Sequence, residues 1–472
     1  MTSSSDDALD LVVAGAGGGL VAALRAAQNG LSVLLVDSNE NFSRSNNTSK
    51  TTSMIPAAGS RWQSSVGIED SPTRFVDDVM AKTHGEADRA LTEALAEVSA
   101  PLVEWMASDL GVPLSLVTDF QYPGHSALRC LTVPGRAGRV LVDSLLTKVR
   151  ESPLIELLAP ARLVDVVTTE GRVRSVVLET ARGRREIATK AVLLATNGFG
   201  ADSGLVHEHL PEIADALYYG SAESTGTALE IGTRLGADTA FLDAYQGHAA
   251  VIRSGEALAG WATVMHGGFL VDIDGDRYGN ESAGYSEFAA ESLERAGGRS
   301  WIIIDRTIYE ACRDFQSFRD AADSGAVVWG ADSDDLAART GISASGLTTT
   351  LSLTRSYAAG DAVDPFGRDF WEAPLRGELA AIAVSPALFH TQGGLRVDKN
   401  ARVLDSAGVP LQGLYASGGA AMGISGHGAA GYLAGNGLLS AFGLAFLAAQ
   451  HASAELVTTA NGPDPAGSEP LT

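Results

Sequence analysis

The chain has 472 residues, 45% of them hydrophobic and 19% charged, and carries a formal net charge of -23. That hydrophobic content supports a sizeable core and excludes wholesale disorder, while the excess of 57 Asp and Glu over 34 Lys and Arg excludes nucleic acid as a partner. The length suits two or three domains, and the two cysteines, Cys130 and Cys312, stand outside any CxxC or CxxCH pattern, so no metal site, attached haem or disulfide scaffold is expected.

The start, MTSSSDDALD, has neither the basic nor the apolar region of a signal peptide, and no later apolar run is expected to span a bilayer. A cytoplasmic protein is the expectation. Residues 10–14 form a short buried-strand pattern, 15–19 a glycine turn, and 20–27 a helix ended by Asn29-Gly30; 31–36 are a second strand closing on Asp37. Strand, glycine turn, helix, strand and acid make a dinucleotide-binding βαβ unit. Glycines let backbone N–H groups approach a pyrophosphate at a helix N-terminus, and the acid accepts bonds from ribose hydroxyls. The glycine register stays open. Counting from Gly15 puts Leu20 where a third glycine is usual, and counting back from Gly19 puts alanines at the first two positions.

Residues 91–106 have the spacing of an amphipathic helix, and 163–167 with 173–178 that of a hairpin turning at Glu170-Gly171. Residues 191–196 are a further strand running into Asn197, Gly198 and a glycine turn, and a comparable element returns at 413–419. The nucleotide domain is therefore expected to be discontinuous, at 1–240 and 366–472, around a capping domain at 241–365. A last helix over about 436–456, apolar and rich in small residues, should be buried, with a disordered tail from Thr458.

In their order along the chain, VVAGAGGGL (12–20), ATNGFG (195–200), STGTALEIGTRLGAD (224–238), FLDAYQGH (241–248), DGDRYGNESAGY (274–285), FHTQGGLRVD (389–398) and GLYASGGAAMG (413–423) resemble the FAD-containing fumarate reductase and succinate dehydrogenase flavoprotein superfamily, which includes the 3-ketosteroid dehydrogenases. The resemblance implies an α/β fold: a Rossmann-like, glutathione-reductase-type FAD-binding domain with an inserted α+β capping domain. It places FAD against Gly15, Gly17, Gly18, Gly19, Asp37, Ser38, Ala195, Thr196, Asn197, Gly198, Gly418, Gly419, Asn436, Gly437 and Leu438. SNENFSRSNNTSK follows the ribose acid where some members carry a flavin-linking histidine, so the FAD is expected to be non-covalent. Without a haem motif, electrons are expected to leave to a diffusible acceptor or O2.

Fumarate reductases clamp a dicarboxylate with arginines and histidines. Aligned on that pattern, the proton-delivering arginine becomes Tyr285 in NESAGYSEF, and a second clamp arginine becomes Tyr432 in GHGAAGYLAGNGLL. Two tyrosines suit a ketone better than a dicarboxylate, as in the ketosteroid dehydrogenase branch. The resemblance then implies that Tyr432 and the Gly435 N–H polarise a substrate carbonyl, Tyr285 takes the α-proton and a β-hydride passes to flavin N5. Tyrosine is a poor base at its ordinary pKa of about 10, so a lowered pKa or a relay through His248 or His390 is expected. Those two match family histidines that bind a substrate carboxylate. His125 and Arg129, in a Pro- and Gly-containing stretch, suit either a loop over the flavin or a surface loop; Arg277 and Glu281 read as a structural salt bridge.

Three functions fit these residues. They are desaturation of a cyclic ketone, either a 3-ketosteroid or a smaller ring such as an oxocyclohexane carboxylate; reduction of an activated alkene of the fumarate type; and electron transfer by a non-catalytic flavin-binding protein.

Overall fold

A computed structural model describes residues 8–253 and 257–460. The N-terminal stretch read for a signal lies almost wholly outside these residues, as does residue 461 onward of the tail.

Val, Leu and Ile runs short enough to be strands and apolar enough to be buried on both faces build a parallel sheet. Its strands run Ile155–Leu158, Val33–Val36, Leu9–Ala14, Gly183–Leu194 and Pro410–Ala416 from one side to the other. Leu11 pairs with Val33 on one flank and with Ala191 on the other. The predicted hairpin is present as Arg162–Thr169 and Arg172–Thr180, turning through Glu170 and Gly171, both at positive φ. It pairs antiparallel with the first half of Gly183–Leu194, a strand far longer than the sequence pattern predicts because charged residues 184–186 hide its start. The carboxyl ends of the parallel strands, Ala14, Val36, Leu194 and Ala416, come side by side, and a doubly wound sheet binds its ligand at that edge.

Gly19–Gln28 and Asn436–Ala460 pack on this sheet, and a third helix packs on the latter. Gly19–Gln28 is buried along most of its length, the predicted amphipathic helix is Arg89–Ser108, and Asn436–Ala460 packs against both. The helix therefore continues through residues 458–460, where a disordered tail was expected. Asn436–Val457 is also long and apolar enough to cross a membrane, which corrects the expectation that no segment is; 67% of its apolar stretch is buried inside the protein. Its small residues explain the burial. A β-carbon at Gly18 would stand only 2.7 Å from the Ala441 carbonyl oxygen, so helix-to-helix contact requires a glycine there.

The capping layer is a second, mostly antiparallel sheet centred on Leu379–Thr391. Tyr245–Ile252, Ser300–Asp305 and Val327–Gly330 pair with that strand, and Phe269–Val271 pairs with Ser300–Asp305. The central strand lies beyond residue 365, and Leu217–Tyr218, which pairs with it, lies before residue 241. The layer thus draws on more of the chain than the 241–365 segment. A separate apolar core fills it, built on Phe269, Phe288 and Ile302–Ile304; Met54, Tyr122, Cys130 and Ala434 reach into that core from outside the segment.

Candidate active site

One cleft runs from the first glycine turn to the underside of the capping sheet. The cleft joins the ligand-binding edge of the parallel sheet to the capping layer, the two places that a dinucleotide and a substrate beside it would need. At the nucleotide end it is lined by Gly15, Gly17, Gly18, Asp37, Ser38, Ala195, Thr196, Asn197, Gly418 and Gly419, with Gly437 and Leu438 further along. Gly15 has φ 109° and lies so close to the Ala195 carbonyl that no side chain fits. Asp37 accepts the Ala16 N–H at 2.8 Å and the Asn39 N–H at 3.0 Å. Burial pushes its carboxyl above the ordinary range, and these two N–H groups oppose the rise. The hydroxyls of Thr196 and Ser417 are buried with no partner among the described residues, as groups awaiting a polar ligand would be. The donor set and the cradle fit FAD.

Three residues expected on the cofactor do not line the cleft. Gly19 packs on Val13, where a β-carbon would meet Cγ1 at 2.6 Å, and Gly198 packs on the Thr391 side chain and the Gly419 carbonyl. Asn436 is fully buried behind Gly435 and Gly437. The glycine register follows: Gly15 makes the turn, Gly17 and Gly18 border the cleft, and Leu20, where a glycine is usual, is core. Conversely, the sequence reading passed over Asn46, Asn47, Thr48 and Lys50, which line the cleft from the SNENFSRSNNTSK segment. Asn46 accepts the Ser49 N–H at 2.8 Å and donates to the Ala16 carbonyl at 3.1 Å, tying this segment to the glycine turn. The Asn-x-x-Ser cap was the available signal.

At the far end the cleft brings together all five residues expected to do chemistry, from four separate segments. The Tyr285 and Tyr432 rings meet edge to face at 5.9 Å between centroids. The Gly437 N–H donates to the Tyr432 hydroxyl at 3.4 Å, and the Gly435 N–H bears on the same oxygen. Burial pushes Tyr432 up to about 12, an effect that these N–H groups moderate. Burial raises Tyr285 well above the ordinary tyrosine value, and the neighbouring Tyr432 adds to the rise. Both phenols are therefore neutral at pH 7. Tyr122, unremarked in the sequence, joins them on the cleft wall, and its pKa is likewise raised by burial.

The histidines serve the pair differently from the expected relay. His248 stacks flat on Tyr285 at 4.7 Å and on Phe389 at 5.1 Å, and its Nδ1 accepts the Ala250 N–H at 3.1 Å. Stacked faces offer no hydrogen bond, so His248 packs the phenol without exchanging a proton with it. His390 lies edge-on to Tyr432 at 6.1 Å, with Gln392 Nε2 3.0 Å from its Nδ1. Burial holds His248 down at about 3 and His390 at about 4, so neither supplies a cation.

Among the described residues, the cations lining the cleft are Lys50 and Arg162. Arg162 pairs with Glu223, whose carboxylate also accepts the Ser38 hydroxyl, at the nucleotide end. Lys50 donates to the Gly220 carbonyl at 2.7 Å. The tyrosine end is instead walled by Trp261, Phe389 and the stacked rings.

Arg129 and His125 are buried behind that wall, which removes the surface-loop reading. Arg277 lies in a closed ion cluster, 2.6 Å from Glu281 and 3.0 Å from Asp364, that anchors the turn Glu281–Ala283 just before Tyr285.

The FAD binding domain family matches residues 10–438. A probable fumarate reductase of Shewanella frigidimarina (strain NCIMB 400) is 28% identical over 426 residues, covering 88% of this chain and 70% of the relative. Among solved structures, the open conformation of a flavocytochrome c3 fumarate reductase is similar at a TM-score of 0.78 and 26% identity, over 95% of this chain and 78% of that one. A 3-ketosteroid delta1-dehydrogenase from Sterolibacterium denitrificans is similar at a TM-score of 0.75 over 95% of this chain and all of that one. At 20% identity that likeness is one of fold.

Proposed function

The chain belongs to the FAD binding domain family and is an FAD-dependent oxidoreductase of the fumarate reductase and ketosteroid dehydrogenase superfamily; from that premise we propose that it desaturates a neutral cyclic ketone at the carbons α and β to the carbonyl. The observation that carries this reading is the pair of neutral tyrosines at the end of a cleft whose walls there are aromatic and uncharged. A dicarboxylate needs paired cations; a ketone needs hydrogen-bond donors at its oxygen and a proton acceptor beside its α-carbon.

In this reading Tyr432 and the Gly435 N–H hold the carbonyl oxygen, with Gly437 supporting the Tyr432 hydroxyl. They stabilise the negative charge that develops as the α-proton leaves to Tyr285, which takes it in its phenolate form and becomes the neutral phenol. His248 and Phe389 fix the plane of the Tyr285 side of the site, and Trp261 helps exclude water. FAD, when bound, supplies the acceptor for the β-hydride, and electrons then pass to a diffusible acceptor or O2. A flat ring slides between aromatic walls more readily than a charged chain does, which favours an alicyclic or steroid ketone.

Reduction of an activated alkene is the second reading, favoured by the relative named a probable fumarate reductase. Anaerobic mixing separates the two. Saturated cyclic ketones should bleach the oxidised flavin while succinate leaves it unchanged; reoxidation of the reduced flavin by fumarate alone, with no response to ketones, would overturn the desaturase reading. If no ketone or alkene turns over, the electron-transfer alternative stands.

A further inference from the structure

We propose that His125, held by Arg129, is a positioning residue that aims and polarises the Gly435 N–H, the backbone donor for the substrate oxygen. This rests on the reading of Tyr432 and Gly435 given above. The two residues lie outside the cleft, on the far side of the wall that Ala434 and Gly435 form.

The chain of contacts is continuous. Arg129 is 1% exposed, and its guanidinium makes a two-pronged pair with Asp70 at 2.9 and 3.0 Å and a further bond to Asp78. Its remaining reach is to His125, with Nη1 3.3 Å from Nδ1. A guanidinium only donates, so Nδ1 must accept and the imidazole proton must sit on Nε2. Burial first, and the Arg129 charge second, hold His125 down at about 4, so the ring stays neutral and keeps that single tautomer. Nε2 lies 3.0 Å from the Ala434 carbonyl oxygen, 309 positions away in sequence, and therefore donates to it.

In a trans peptide the C=O and N–H point in opposite directions. Drawing the Ala434 carbonyl back towards His125 thus turns the Gly435 N–H forward into the cleft. A donor on the carbonyl also polarises the amide, so its N–H becomes a stronger partner for an oxyanion. The glycine cannot be replaced to the same end: at φ 89° a β-carbon would strike Pro56 at 2.5 Å. The orientation of this peptide is fixed from behind, by a side chain that touches neither substrate nor FAD.

The test uses the FAD-loaded protein and 4-hydroxybenzaldehyde, a flat phenol that places an oxyanion where a ketone oxygen would develop charge. Its phenolate stacked on oxidised flavin gives a long-wavelength charge-transfer band, which reads binding without turnover. His125→Ala should weaken phenolate binding by ~5-fold or more and lower kcat by ~10-fold at nearly constant KM, with flavin content unchanged. His125→Gln, which keeps an N–H donor, should recover most of both. If the alanine variant loses flavin, His125→Phe, which fills the space without a donor, carries the same comparison. Phenolate binding equal to the native protein in the donor-less variants, or equal loss in His125→Gln, overturns the proposal while leaving the ketone reading intact. A native protein that binds no phenolate and oxidises no ketone sinks both.

Discussion

Tyr432 occupies a position where three hydrogen-bonding groups converge, the N–H groups of Gly435 and Gly437 and the Tyr285 hydroxyl beside them. Removal of its hydroxyl in Tyr432→Phe should lower kcat by ~10²–10³-fold, the loss typical of one oxyanion donor, with the flavin-to-protein ratio unchanged; a native rate would remove Tyr432 from the chemistry. The raised phenols set a direction for pH as well. A proton acceptor must be deprotonated to act, and burial pushes Tyr285, the proposed acceptor, well above the ordinary value. Turnover should therefore climb steadily from pH 7 to pH ~10, with no inflection near 6.5 because His248 and His390 are already neutral there. A rate that is flat or falling over that range would exclude a phenol as the base. The residue identities were legible in the sequence; the stacking of His248 on Tyr285, which denies it a relay role, was not, because it depends on a strand pairing with bulges after Gln246 and His248.

The first turn of the C-terminal helix carries two duties at once. Gly437 lies inside Asn436–Ala460, where alanine is the better helix former by ~1 kcal/mol. A β-carbon there, however, would stand 2.7 Å from His390 Nε2 and 3.4 Å from the Tyr432 hydroxyl. Gly437→Ala should thus keep or slightly raise the melting temperature and yet cut kcat by ~10-fold or more as His390 and Tyr432 are pushed apart. Retained activity would show that the helix start has room to give. The turn that delivers Tyr285 is held differently, by the Arg277, Glu281, Asp364 and Arg368 cluster, whose members are each 8% exposed or less. Sequence spacing showed the Arg277 and Glu281 pair at i,i+4, and only the fold adds Asp364 and Arg368, more than 80 positions on.

Across the whole molecule, stability should depend on pH through imidazoles buried without charge. His125 and His248 are held at about 4 and about 3, against an ordinary value near 6.5 in the unfolded chain. Their folded values are depressed, so the unfolded chain binds protons first as the pH falls. Stability is complete above about 6.5 and is lost progressively below it, on the order of 4 kcal/mol for the two groups by pH ~5. Thermal unfolding of the FAD-bound protein at pH 7.5 and at pH 5 checks this; equal midpoints would mean that these histidines are charged or exposed in the folded state.

What the sequence determined alone is the nucleotide half: the strand, glycine turn, helix, strand and Asp37 are contiguous, and backbone sterics and hydrophobic period act over that short range. It also supplied the candidates for chemistry through the exchange of arginines for Tyr285 and Tyr432. Which side chains face the cleft was decided by tertiary structure. Gly19, Gly198 and Asn436 turn away into packing, Asn46 and Tyr122 turn in, and His125 reaches the Ala434 carbonyl from 309 positions away. The capping sheet likewise takes its central strand, Leu379–Thr391, from beyond the predicted boundary. The reason is physical: a local pattern specifies which face of an element is apolar, whereas the partner of that face is chosen by packing among segments that meet only when the chain has folded.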